Sequence, residues 1–146
     1  MTALRLAHIF DSAALHGRLV DRTGDGGTME VYPAAALTRW GFDISGYKSV
    51  SDRLRALAEA FFNRLPWLVI GPTTREACGR NDDLFDAVVS SLVARAGRLG
   101  HTDPPQSAAM REHARREGWI HVPSAESLQC LVGRRQPSLS APTDVA

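Results

Sequence analysis

The feature that most constrains the fold is a segment in the second half of the chain, residues 81–99, which carries two different stripes. At 3.6 residues per helical turn, one side presents large apolar side chains and another presents only small ones. The large residues are Leu84, Phe85, Val88, Val89, Leu92 and Leu99, and the small ones are Ala87, Ser90, Ala94 and Gly97. Because small side chains let a helix lie close against a sheet or another helix, the segment predicts a helix inside an α/β domain, capped by Asn81 and closed by Gly100.

Shorter segments on both sides alternate between strand and helix patterns. Residues 28–32 and 119–122 predict short strands, because they are rich in β-branched and aromatic residues and a proline follows each. The further predicted helices are 4–15, 34–40 begun by Pro33, 51–65 capped by Ser51, and 106–117. The short apolar run 67–70 is compatible with a buried strand, although its periodicity does not decide the matter. The pattern favours an α/β fold of short strands packed with helices.

Composition excludes several classes of protein. The 146 residues suggest one domain, and 44 % hydrophobic with 23 % charged residues is typical of a globular protein. No apolar run is long enough for a membrane span, and we expect no secretory signal, so the predicted location is cytoplasmic. Cys78 and Cys130 lie far apart, which argues against a disulfide scaffold or a zinc site. Residues 133–146 are rich in serine and proline and predict a disordered tail behind a domain over 1–132.

Three acidic residues are candidate metal ligands. Asp83 and Asp86 lie about 60° apart on one face near the start of the predicted helix 81–99, and Glu30 lies in the middle of a predicted strand. Hard cations such as Mg²⁺ require several oxygen ligands at fixed distances, which three converging carboxylates would supply. A second interpretation stays open, because first-turn acids also offset the helix dipole and a strand glutamate commonly faces solvent.

Five short motifs, in this order along the chain, resemble a family of predicted nucleases known as domain of unknown function 429. They are Glu30–Leu37, Trp40–Gly41, Tyr47–Lys48, Asn81–Ala87 and Glu117–Ile120. The resemblance covers about residues 15–132 and implies an RNase H-like fold and a nuclease that cleaves nucleic-acid phosphodiesters. It also implies that Glu30 matches the acid of the fourth strand. Asp83 and Asp86 then match the acids of the last helix, as in RuvC-like resolvases, with Mg²⁺ or Mn²⁺ bound between them.

The chain departs from the family pattern at its start. Family members open with a three-stranded β-meander whose first strand carries an essential aspartate, whereas this chain begins about where their middle helix lies. We therefore expect an incomplete RNase H-like domain over 1–132 that lacks the N-terminal β-meander. A small sheet leaves unpaired edges, so a homodimer or a partner chain is expected to dock at the exposed edge.

Three functional hypotheses follow from these observations. The first is a metal-dependent nuclease that uses Glu30, Asp83 and Asp86. The second is a non-catalytic remnant that binds a partner protein or nucleic acid through the sheet edge. The third is an N-terminally shortened product of the reading frame that does not persist in the cell.

Overall fold

The computed structural model describes residues 21, 23–24 and 28–132. This part of the chain is mixed α/β and mostly helical, which confirms the predicted class. Its strands are β1 (Glu30–Val31) and β2 (Ile120–His121), and its helices are α1 (Pro33–Arg39), α2 (Ser51–Arg64), α3 (Pro72–Cys78), α4 (Asp82–Arg98), α5 (Ala108–Glu117) and α6 (Ser127–Cys130). The RNase H-like fold and the missing β-meander stay predictions. The predicted helix 4–15 and the tail 133–146 lie outside the described residues.

The two strands form a small parallel sheet. Glu30 pairs with Ile120, and Val31 pairs with His121. Parallel neighbours require a long crossover connection, and here the chain passes through helices α1 to α5 between the two strands. An isolated antiparallel bridge between Thr102 and Pro123 joins the segment after α4 to the residues that follow β2. The strands predicted at 28–32 and 119–122 are therefore confirmed, although each is shorter than its sequence pattern.

Helix α4 lies against one face of this sheet through its small residues. Met29 and Val31 share a groove with Ala87, Ser90 and Ala94, which is one of the two packings that the small-residue stripe allowed. The Met29 thioether lies over Gly97, in the space that a Cβ atom there would occupy. The opposite side of α4 carries Phe85, Val89 and Leu92, which are buried in the core.

The core is built around aromatic residues from three segments. Phe61 of α2 and Phe85 of α4 are fully buried and meet edge to face, with ring centroids 5.3 Å apart. Trp40, which follows α1, packs on Phe61, and its indole N–H donates a hydrogen bond to Ser127 Oγ at 2.9 Å. Every polar side-chain atom buried in the described residues has a partner. Core packing therefore fixes the positions of α1, α2, α4 and α6 relative to one another.

The structure corrects three details of the sequence-based picture. Residues 67–70 form no strand, and Val69 is 95 % exposed, so this run is a loop that leads into α3. Ser51 is the first residue of α2 rather than its cap, because Val50 occupies the N-cap position and no side chain caps that end. Helices α3 and α6 were not predicted, because helices of 7 and 4 residues are too short to show a periodic pattern. None of the described helices is both long and apolar enough to cross a membrane.

A candidate site at the start of helix α4

Asp86, one turn into α4, is the acid of this region with the most defined surroundings. The Tyr47 hydroxyl donates a hydrogen bond to its Oδ1 atom at 3.1 Å, and the Lys48 ammonium donates to its Oδ2 atom at 2.7 Å. The Asp86 side chain is only 16 % exposed. We call Tyr47, Lys48 and Asp86 the Asp86 clamp, because together they fasten the loop after α1 to the start of α4.

The electrostatics of the clamp favour fixed protonation states. Burial, reinforced by the negative charge of Asp86, raises the pKa of Tyr47 to about 12. The hydrogen bond to Asp86 raises the pKa of Lys48 above its usual value. At neutral pH the tyrosine is therefore a neutral donor and the lysine a cation, and each donates a hydrogen bond to one oxygen of the Asp86 carboxylate. This arrangement suits a structural tie better than proton transfer.

Asp83 lies in the first turn of α4 and is exposed. The helix begins as the sequence predicts, because the side chain of Asn81 accepts a hydrogen bond from the backbone N–H of Leu84 at 2.9 Å. An acid at this position offsets the positive end of the helix dipole. The predicted pair is thus split between two environments, since Asp83 faces solvent while Asp86 is held by the clamp.

Glu30 lies on the face of the sheet that points away from α4. Its neighbours Met29 and Val31 contact the α4 groove, and successive side chains of a strand alternate between faces. The carboxylate of Glu30 rests against Gly118, where a Cβ atom would overlap it and where φ is +92°. The structure therefore brings Tyr47 and Lys48 to Asp86, and it does not bring Glu30 there.

The described residues do not fit a divalent metal site. Among them, no group of three or more histidine, cysteine, aspartate or glutamate side chains is placed to hold an ion. Both oxygens of Asp86 already accept hydrogen bonds, and Glu30 lies across the sheet. The roles of Glu30, Asp83 and Asp86 as ligands of Mg²⁺ or Mn²⁺ therefore stay predictions.

The other exposed feature near the strands is the open face of the sheet, defined as the face turned away from α4. Tyr32 and Ile120 lie on it and are 55 % and 52 % exposed. Beside them is a groove of about 540 Å³ lined mainly by Tyr32, Ala34, Ala35, Ile44 and Val122. This face thus carries an exposed apolar ridge, a largely apolar groove and the Glu30 carboxylate. Sequence reasoning predicted an exposed strand edge and missed this face. The available signal was alternation along the strands, since Tyr32 follows Val31 and Ile120 precedes His121, and both of those neighbours lie on the other face.

The clamp residues were also missed by sequence reasoning. Tyr47 and Lys48 were recognised as a motif, but nothing in the sequence connected them with an acid almost forty positions later. The only sequence clue was the position of Asp86, since aspartate is unfavourable beyond the first turn of a helix unless a partner holds it.

Comparison with known proteins identifies the family of this chain, and the description of that family states no function. No curated protein and no solved structure matches the chain. Residues 2–110 match the family described as protein of unknown function (DUF429), which is the family that the five motifs indicated. Because this match covers well over half of the sequence, the chain belongs to the DUF429 family.

Proposed function

We propose that this chain is an interaction module that pairs with a second copy of itself through the open face of its sheet. The observation that carries the proposal is the exposure of Tyr32 and Ile120 on a parallel sheet whose other face is covered by α4. Parallel strands are almost always covered on both faces, because their connections place other elements there. A second copy would supply that missing cover.

The open face is suited to pairing with a copy of itself. In a two-fold dimer the same patch lies on both subunits, so each subunit must offer both a ridge and a groove. Tyr32 and Ile120 form the ridge, while Ala35, Ile44 and Val122 line the groove beside it. At the rim, Arg39 pairs with Asp103 at 3.4 Å, so the arginine does not bring an uncompensated charge to the interface.

The environments of the acids also favour a binding role. Asp86 ties a loop to α4 through Tyr47 and Lys48, which accounts for its place in the helix without catalysis. Glu30 lies on the open face and its carboxylate packs on Gly118. Each acid thus has a structural explanation within its own surroundings.

Light scattering coupled to size-exclusion chromatography tests the proposal. We expect the wild-type protein to run with the mass of a dimer and Ile120→Asp to run as a monomer with an unchanged far-ultraviolet CD spectrum. Val69→Asp is the matched control, because Val69 is 95 % exposed in a loop away from the sheet, and this variant should stay dimeric. The proposal would be contradicted if the wild-type protein ran as a monomer at all concentrations at which it is soluble. It would also be contradicted if Ile120→Asp and Val69→Asp dissociated the dimer equally.

A metal-dependent nuclease is the second candidate. Its support is the placement of Asp83 and Asp86 one turn apart on α4, together with the family resemblance. The test is cleavage of branched DNA and RNA–DNA hybrids with Mg²⁺ or Mn²⁺. Asp83→Asn should abolish cleavage, while Asp52→Asn, which alters the first-turn acid of α2, should not. Cleavage that does not depend on the metal, or equal activity of both variants, would sink this candidate.

A further inference from the structure

We propose that a cleft between α2 and α3 binds the phosphate group of a small molecule about the size of a mononucleotide. The cleft shares no residue with the Asp86 clamp or with the open face of the sheet. The proposal therefore stands independently of the proposed function.

The cleft has the dimensions of a small-molecule site. Its volume is about 480 Å³, within the range of roughly 300–1,000 Å³ that is typical of ligand pockets. Helix α2 lines one wall and α3 with the turn after it lines the other, with Phe62 and Gly79 between them. Its polar lining consists of Arg55, Glu59, Asn63, Arg75, Glu76 and Arg80.

Arg75 is an oriented guanidinium in this cleft. Its central carbon lies 5.0 Å from the centroid of the Phe62 ring, and that ring is almost fully buried. This cation–π contact holds the guanidinium over the ring face. No described carboxylate forms an ion pair with Arg75. An oriented cation whose charge is not neutralised is what an incoming anion requires.

The balance of charge in the cleft favours an anion over a cation. Arg80 is paired with Glu76, so these two charges offset each other. Arg55 makes only an exposed ion pair with Asp52, outside the cleft, at 3.6 Å. Arg55 and Glu59 lie on the α2 wall and Arg75 on the α3 wall, and the three arginines and two glutamates of the lining leave the cleft with one excess positive charge.

The arrangement of donors favours phosphate over carboxylate. A carboxylate is satisfied by one guanidinium fork in a plane, whereas a phosphate group presents several oxygens in three dimensions. Arg55 and Asn63 on α2 and Arg75 on α3 supply donors from two sides. A small ligand is favoured over a nucleic-acid strand, because the chain has a net charge of only +1 and dedicated nucleic-acid binders carry a marked basic excess.

Isothermal titration calorimetry with AMP, with inorganic phosphate as the competitor, tests this inference. We expect saturable binding of AMP that phosphate displaces. Arg75→Gln should weaken binding about tenfold or more, as expected for the loss of one charge-assisted pair. Arg111→Gln is the matched control, because it removes one exposed arginine from α5 and should change the affinity less than about twofold.

A further variant separates loss of binding from loss of fold. Glu59→Gln removes the acid of the described cleft lining that forms no ion pair, so it should tighten AMP binding, a gain that unfolding cannot produce. The absence of saturable AMP binding would overturn the inference, as would equal weakening by Arg75→Gln and Arg111→Gln. Binding of a single-stranded oligonucleotide that AMP does not displace would also overturn it, by assigning the surface to a polymer.

Discussion

The Asp86 clamp makes a quantitative prediction for a double-mutant cycle. Tyr47→Phe keeps the ring packed edge to face on Phe85 and removes only the hydroxyl that donates to Asp86 at 3.1 Å. Hydrogen bonds to charged groups contribute about 1.5–3 kcal/mol, and the length of this bond favours the lower end, so we expect a loss of about 1.5 kcal/mol. Asp86→Ala also removes the ion pair to Lys48. Because the lysine side chain is 53 % exposed, that pair adds only about 0.5 kcal/mol.

The cycle is completed by the double variant, measured by urea unfolding of all four proteins. Once Asp86 is alanine, Tyr47→Phe should cost almost nothing, so the coupling free energy should be about 1.5 kcal/mol. Coincident unfolding curves from CD and tryptophan fluorescence would establish that the free energies are comparable. Additive losses, within about 0.5 kcal/mol, would show that the hydroxyl and the carboxylate do not stabilise the fold through each other, and would refute the clamp.

Three further outcomes follow from the structure. Because folding raises the pKa of Tyr47 to about 12, the stability contributed by this group is fully present below pH 10 and is lost as pH rises towards 12. The pKa of Lys48 is raised as well, so unfolding across this range should show a loss in both proteins that is larger in wild type than in Tyr47→Phe. Gly97→Ala should stabilise the protein by up to about 1 kcal/mol in thermal melting, because alanine is favoured inside α4 and its Cβ would meet only the flexible end of the Met29 side chain. Asn81→Ala should cost about 1 kcal/mol in urea unfolding through the lost cap of α4, and an unchanged midpoint would contradict that role.

The elements that sequence predicted well are those whose signals are local. Helix α4 has a cap, two stripes and a terminal glycine within a single segment, and Pro33 begins α1 as expected. The run 67–70 was harder, because four apolar residues have no readable period and their exposure depends on what lies beside them. Val69 is exposed since no described element covers it.

The candidate site was less predictable, because it depends on contacts between distant segments. The acidic positions were recognisable, but the face on which Glu30 lies depends on which neighbours of the strand contact α4. The partners of Asp86 come from a loop whose path is determined by the aromatic core, with Tyr47 packed on Phe85. The cleft between α2 and α3 could not be predicted from the sequence, because α3 itself was not predicted. Arg75 was therefore not assigned to any helix or strand.

The pairing of β1 with β2 has a consequence for how this protein folds. Glu30 and Ile120 lie about ninety residues apart, and the ladder that joins them is only two residues long on each strand. Closing so large a loop has an entropic cost that so short a ladder cannot offset, so the helices must come together before the strands meet. The sheet is then the last element to form and the first to open, and we expect the amides of Val31 and His121 to exchange with solvent faster than those in the middle of α4.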